Sequence, residues 1–198
     1  MKVKKKLVDF RYLFYAFLLL LPVMFILPFY SVGTYSFIKN TMSHLGAQST
    51  TNAWIINVVF VLVGITCVLE AWLHLGNYWF HKILLSIFGL SLVFIGIFHH
   101  APIIEGVIFN SLEDRLHSIF ATIVGFLFTV YAISSAFIEI QVKHKVIDIV
   151  VGSIATILAL LMGSMPDYSG IWQRTILIIS FTWLIFMLER IKDFNKTV

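Results

Sequence analysis

The sequence predicts an all-α integral membrane protein, a single domain over residues 1–198 folded as an antiparallel bundle of six transmembrane helices with both termini in the cytoplasm. Three observations carry this expectation. Apolar residues make up 60% of the chain, charged residues only 12%, and the mean hydropathy is +0.95. A soluble domain is about half apolar and a quarter charged, so this chain has too little polar surface for water. The apolar residues fall in six runs of nearly membrane-spanning length, and the basic residues between the runs are strongly one-sided.

The runs cover about 12–30, 53–75, 83–98, 117–138, 146–162 and 171–188. About 20 apolar residues in a helix rise about 30 Å, the thickness of the hydrocarbon layer. Each run is read as a helix because backbone polar groups in lipid must be satisfied within the segment. The third and fifth runs are short, which implies borrowed flanking residues or a locally thinned bilayer. The first run follows a basic start, as a secretory signal does, but Pro28-Phe29-Tyr30 is bulky where a peptidase needs small side chains, so a retained helix is expected. Short connections between the second and third and the fourth and fifth runs force antiparallel neighbours. Cys67, the single cysteine, lies in the second run and has no partner for a disulfide within the chain.

Lys2, Lys4, Lys5, Lys6, Arg11, Lys82, Lys143, Lys145, Arg190, Lys192 and Lys196 fall on one side of this arrangement, and only Lys39, Arg115 and Arg174 on the other. The positive-inside rule assigns the richer side to the cytoplasm and describes a multi-pass protein of a cell membrane. The net charge of +4 then reflects contact with anionic headgroups, and nucleic acid is excluded as a partner. Trp54, Trp72, Trp79, Trp172, Tyr12, Tyr30 and Tyr78 stand near run ends as interfacial anchors.

The outer side gathers His44, His99, His100 and His117 with Glu105, Glu113, Asp114 and Asp167. Such a set could hold a divalent metal or move protons. Asp114 and His117 are three apart at the start of the fourth run, so a helix places them on one face, where the carboxylate could orient the imidazole or share a metal. The alternative is capping, with Asp114 or Ser111 accepting from free amides at the helix start. His99-His100 precedes Ala101-Pro102, and adjacent helical residues diverge, so one of the pair faces the bundle. Ser43, beside His44, would need His99, His100 or His117 from another helix to become a nucleophile; otherwise it pins its loop. On the inner side, Glu70 lies inside the second run, within reach of Lys82 or of His74 four residues on, and a structural ion pair is favoured over a proton relay.

Ser43-His44-Leu45-Gly46, Asn57, Gly96-Ile97-Phe98, His117, Gly170-Ile171-Trp172-Gln173-Arg174 and Trp183 occur in an order that resembles a family of small prokaryotic membrane proteins, domain of unknown function 998. The resemblance spans nearly the whole chain, carries over Ser43, Gly46, His117, Gln173 and Arg174, and implies a bacterial cytoplasmic membrane as the setting. His44 stands where the family usually has aspartate, and His99 where it usually has proline. The family is distantly similar in architecture to eukaryotic six-span proteins of the Frag1, DRAM and Sfk1 group, some of which act in lipid-anchor remodelling. That likeness implies lipids as ligands.

The function this points to is an outward-facing polar site that binds or modifies a lipid headgroup. In an enzymatic version His117, Asp114 and Ser43 are catalytic, His44, His99, His100 and His117 are the candidate ligands of a divalent metal, and Gln173 and Arg174 hold a lipid phosphate. Arg174 is equally read as a strut paired with Asp114 or Asp167. The competing classes are a non-enzymatic scaffold, sensor or immunity-type protein, and a small permease; the latter is disfavoured by the lack of an inverted repeat. Membrane lipids are the partners implied. Assembly as a homo-oligomer and the identity of any small-molecule ligand stay open.

Overall fold

The computed structural model describes residues 11–197, with side chains through residue 191. Lys2, Lys4, Lys5 and Lys6, and the side chains of Lys192 and Lys196, lie outside the described residues. Helix α1 (Tyr12–Ile26) passes into a 3-10 turn at Leu27–Tyr30, and a short helix α2 (Met42–Leu45) follows. Then come α3 (Ala53–His74), α4 (Trp79–Ile97), α5 (Ser111–Ser135), α6 (Val142–Ser164), a 3-10 turn at Pro166–Tyr168, and α7 (Ser169–Thr197). Six of these segments are long and apolar enough to cross a membrane. Segments 31–52, 98–110 and 165–168 share one end of the bundle, called here the loop end; the other end carries residue 11 and the connections 75–78 and 136–141.

The helices run past the apolar residues that first mark them. Helix α4 starts at Trp79 because Lys82 is accommodated: its ammonium donates to the Gly76 carbonyl at 2.8 Å and lies over the rings of Trp79 and Trp72, at 4.4 and 5.0 Å. Helix α5 starts at Ser111, well before the run at 117, because the Asn110 side chain accepts from the backbone N–H groups of Leu112 and Glu113. Neither Asp114 nor Ser111 makes that cap; asparagine one residue earlier does, and it leaves Asp114 free for the neighbouring loop.

Helices α3 and α4 form the closest pair. A Cβ at Gly89 would sit 2.5 Å from the carbonyl oxygen of Gly64, and a Cβ at Gly96 would meet the Asn57 carbonyl at the same distance, so only glycine permits this approach. Buried residues recur every three or four positions along α3, at Ile56, Phe60, Val63, Cys67 and Ala71, the stripe of a helix facing a core. Leu20 and Met24 of α1, Leu85 and Leu92 of α4, Phe128 and Tyr131 of α5 and Phe181, Leu184 and Met187 of α7 complete that core. Helix α6 lies at the rim, burying only Asp148, Gly152 and Ala155.

Candidate functional site

The loop-end surface is built on segment 35–46, held down by α7. A Cβ at Gly170 would come within 2.7 Å of the carbonyl oxygens of Asn40 and Ile38, so the loop backbone lies directly on the start of α7. One turn on, Arg174 is 3% exposed. Its guanidinium donates to the carbonyls of Phe37, Asn40 and Gly170 at 3.0, 3.1 and 2.8 Å and to the Tyr35 hydroxyl, and it stacks over the Phe37 ring at 3.9 Å. Arg174 thus ties segment 35–40 to α7 through backbone carbonyls and a phenol, not through Asp114 or Asp167. Asp167 pairs instead with Lys39 at 2.9 Å, and Asp114 accepts the Ala101 N–H at 2.8 Å. Gln173 accepts the Met42 N–H at 2.5 Å, and Asn57 donates to the Gly46 carbonyl at 3.0 Å, where a Cβ on residue 46 would collide with the Asn57 amide. These contacts give physical reasons for Gly46, Gln173, Arg174 and Asn57 in the resemblance.

Three of the four loop-end histidines converge. The His44 and His100 rings are 4.7 Å apart and those of His100 and His117 5.4 Å. His99 faces away, with its backbone N–H and Nδ1 at 3.3 and 3.4 Å from Glu113 Oε2. Each ring's tautomer follows from its neighbour. Thr41 caps α2 reciprocally with His44, and because the Thr41 N–H can only donate, His44 Nδ1 is an acceptor. Burial, reinforced by His100 and His117 and opposed by Asp114, pushes the His44 pKa down to about 4, in keeping with a neutral ring. His100 Nδ1 faces the Ala101 carbonyl at 3.1 Å and Asp114 at 3.5 Å, so it carries the proton. His117 Nδ1 donates to the Phe98 carbonyl at 2.8 Å, which leaves its Nε2 as a bare lone pair, buried and without a hydrogen-bond partner. The Phe98 carbonyl, rather than Asp114, thus orients His117.

His44 Nδ1 is engaged by Thr41 and His99 is turned to Glu113. Among the described residues no three His, Cys, Asp or Glu side chains are grouped to hold an ion.

Below the histidines lies a cavity of about 600 Å3 among α4, α5, α6 and α7, with Ser43 and Gln173 at its loop end. Ala121, one turn beyond His117 on the same face of α5, lines it, as does Ile95 of α4. At the bottom Phe88 packs against both Phe128 and Phe181, with ring centroids 6.2 Å apart in each pair. Ser43 lines the cavity, and no hydrogen bond joins it to a histidine among the described residues.

At the opposite end sits a polar network in which the sequence had marked only Arg190 and Trp183. Arg190 Nε donates to Glu139 at 2.7 Å and its Nη2 to Asp148 at 2.9 Å, while Trp183 Nε1 donates to the same Asp148 oxygen at 2.8 Å. Both carboxylate side chains are 0% exposed. The available signal was Asp148 itself, a lone acid inside an apolar run. Of the two partners open to Glu70, His74 is the one it meets, at 2.9 Å, while Lys82 donates to the Gly76 carbonyl; Glu70 also accepts the Leu13 N–H at 3.2 Å.

The chain belongs to the family described as Protein of unknown function (DUF998), whose profile matches residues 14–188. This agrees with the resemblance read from its motifs. No curated protein and no solved structure matches the chain.

Proposed function

We propose that this polytopic DUF998 protein binds a membrane lipid by its headgroup at the loop end of the bundle, on the extracytoplasmic side, and that His117 meets the headgroup. The carrying observation is the buried, unpartnered Nε2 of His117, one turn above an apolar cavity. A buried acceptor without a partner costs about 1–3 kcal/mol, so the site is poised for a donor. A headgroup with an O–H or N–H, such as glycerol or ethanolamine, supplies one. Arg174 is given no part here: its Nη1 and Nη2 donate to the Phe37, Asn40 and Gly170 carbonyls and the Tyr35 hydroxyl, and its remaining donor, Nε, is buried. The side assignment rests on the basic residues, with Arg11, Lys82, Lys143, Lys145 and Arg190 all at the other end.

Binding alone is the simplest form of this reading, since one unpartnered Nε2 above an apolar cavity is enough for it. Modification of the headgroup would use the same Nε2 lone pair as a general base towards a hydroxyl. The test is native mass spectrometry of the purified protein beside His117→Gln, with headgroup-labelled lipid supplied. Loss of headgroup selectivity in His117→Gln is expected, and released label would add turnover. An identical lipid complement in the two proteins would remove the proposal.

A further inference from the structure

The cavity below His117 is shaped by how α5 and α6 meet. Near the connection 136–141 they touch: a Cβ at Gly152 would lie 2.8 Å from the Ile133 side chain, and Thr129 and Thr156 share a hydroxyl contact at 3.1 Å. One turn nearer the loop end a Cβ at Gly125 would meet nothing within 4 Å, although Gly125 and Ala159 both line the cavity. The helices therefore part above the Thr129–Thr156 contact. Phe126 and Leu160 stand at this gap, each lining the cavity and each 68% exposed, so the gap is a side opening at the level of the hydrocarbon layer.

Depth and chemistry define the occupant. From Thr129 to Ala121 the cavity follows α5 for about 12 Å, nearly the half-thickness of a 30 Å core. The three phenylalanines close it near mid-membrane. Thr122, Thr129 and Thr156 turn their hydroxyls to backbone or to one another, and Ser180, although unpartnered, can turn to the carbonyl one turn earlier in α7. What remains is hydrocarbon, in a volume within the usual range for ligand sites. At the loop end the polar groups are neutral, the Ser43 hydroxyl and the Gln173 amide, and suit an ester carbonyl better than a carboxylate.

We propose that one ester-linked acyl chain of a phospholipid from the loop-end leaflet enters between α5 and α6 and fills this cavity, with its ester at Ser43 and Gln173. The inference deepens the headgroup reading and rests on it for the identity of the ligand as a lipid. Its site, on different residues, is separately testable.

The experiment reconstitutes the full chain in vesicles of phosphatidylglycerol and phosphatidylethanolamine containing a phosphatidylglycerol with a photoactivatable diazirine in one acyl chain, and maps the cross-links. Labelling of Phe88, Phe128 and Phe181 is expected. Gly125→Leu, which fills open space, should lower labelling of those three at least fivefold while labelling of lipid-facing Phe186 and the melting temperature hold. Ala159→Leu is the second variant, used if Gly125→Leu melts early. Cross-links confined to exposed residues, or floor labelling unchanged in both variants, would overturn the proposal. Preferential labelling by a diazirine free fatty acid would overturn the ester assignment. His117→Gln altering headgroup selectivity with floor labelling intact, or the reverse, separates failure of one site from failure of the other.

Discussion

Arg174 and Tyr35, 139 residues apart, meet where the guanidinium donates to the phenol oxygen at 2.5 Å, and the phenol in turn donates to the carbonyls of Asn40 and Thr41 at 3.0 and 3.1 Å. A buried charge is here balanced by carbonyl dipoles and an aromatic face. Removing it leaves at least the Phe37 carbonyl and the Tyr35 hydroxyl without that donor. Arg174→Gln is expected to cost about 1–3 kcal/mol and Tyr35→Phe about 0.5–1.5 kcal/mol. Melting in detergent measures both, beside bound-lipid analysis well below the transition. Unchanged melting together with lost lipid would make Arg174 a ligand group instead.

His44 makes segment 41–46 acid-sensitive. Its folded pKa, about 4, lies below the ordinary 6.5. An unfolded or opened loop therefore binds a proton first as pH falls. The stabilisation is complete above pH 6.5, declines from 6.5 to 4, and is constant below 4, with a total of at most about 3 kcal/mol. His44→Gln keeps a side chain able to accept the Thr41 N–H and removes the titration. Protection of the 41–46 amides, taken as the observed exchange rate against the intrinsic rate at each pH, should fall between pH 6.5 and 4 in the wild type and stay flat in His44→Gln; parallel profiles would refute the assignment.

The spans were legible in the sequence because hydrophobic burial is a local, additive property. Their ends were not. Asn110 extends α5 by a cap that no apolar count sees, and Lys82 enters α4 through two tryptophans and a carbonyl supplied by the preceding turn. Convergence of histidines was legible as a collection on one side, yet the choice of His100 over His99 depends on the chain path after α4 ends at Ile97. Partners that are backbone carbonyls, as for Arg174 and His117, leave no side-chain pattern to read. Asp148 was visible as a lone acid, but Glu139 as its companion on Arg190 follows only from the fold.

Orientation is open to direct measurement. Ser49 is exposed at the loop end and Cys67 is buried, so the native thiol gives no background. Ser49→Cys should react with an impermeant thiol reagent in intact cells, and a reporter fused after Val198 should be cytoplasmic. Labelling only after permeabilisation would reverse the bundle and the leaflet assigned to the lipid site.

The network at the other end holds two carboxylates to one guanidinium, with His144 Nδ1 3.5 Å from Glu139 Oε2 and partly exposed. One acid is therefore in excess. Asp148→Asn keeps the oxygen that accepts from Trp183 and Arg190 and leaves a balanced Arg190–Glu139 pair, so its cost should stay below about 1 kcal/mol. Arg190→Met strands both buried acids and should cost about 3–5 kcal/mol. Adding Glu139→Gln and Asp148→Asn to Arg190→Met removes both acids together with the guanidinium and should recover part of that loss, a coupling that independent sites would not show. Unfolding of the four proteins in one detergent gives the order. If Asp148→Asn were as costly as Arg190→Met, the excess charge would not be what strains this network, and Asp148 would be needed as an anion.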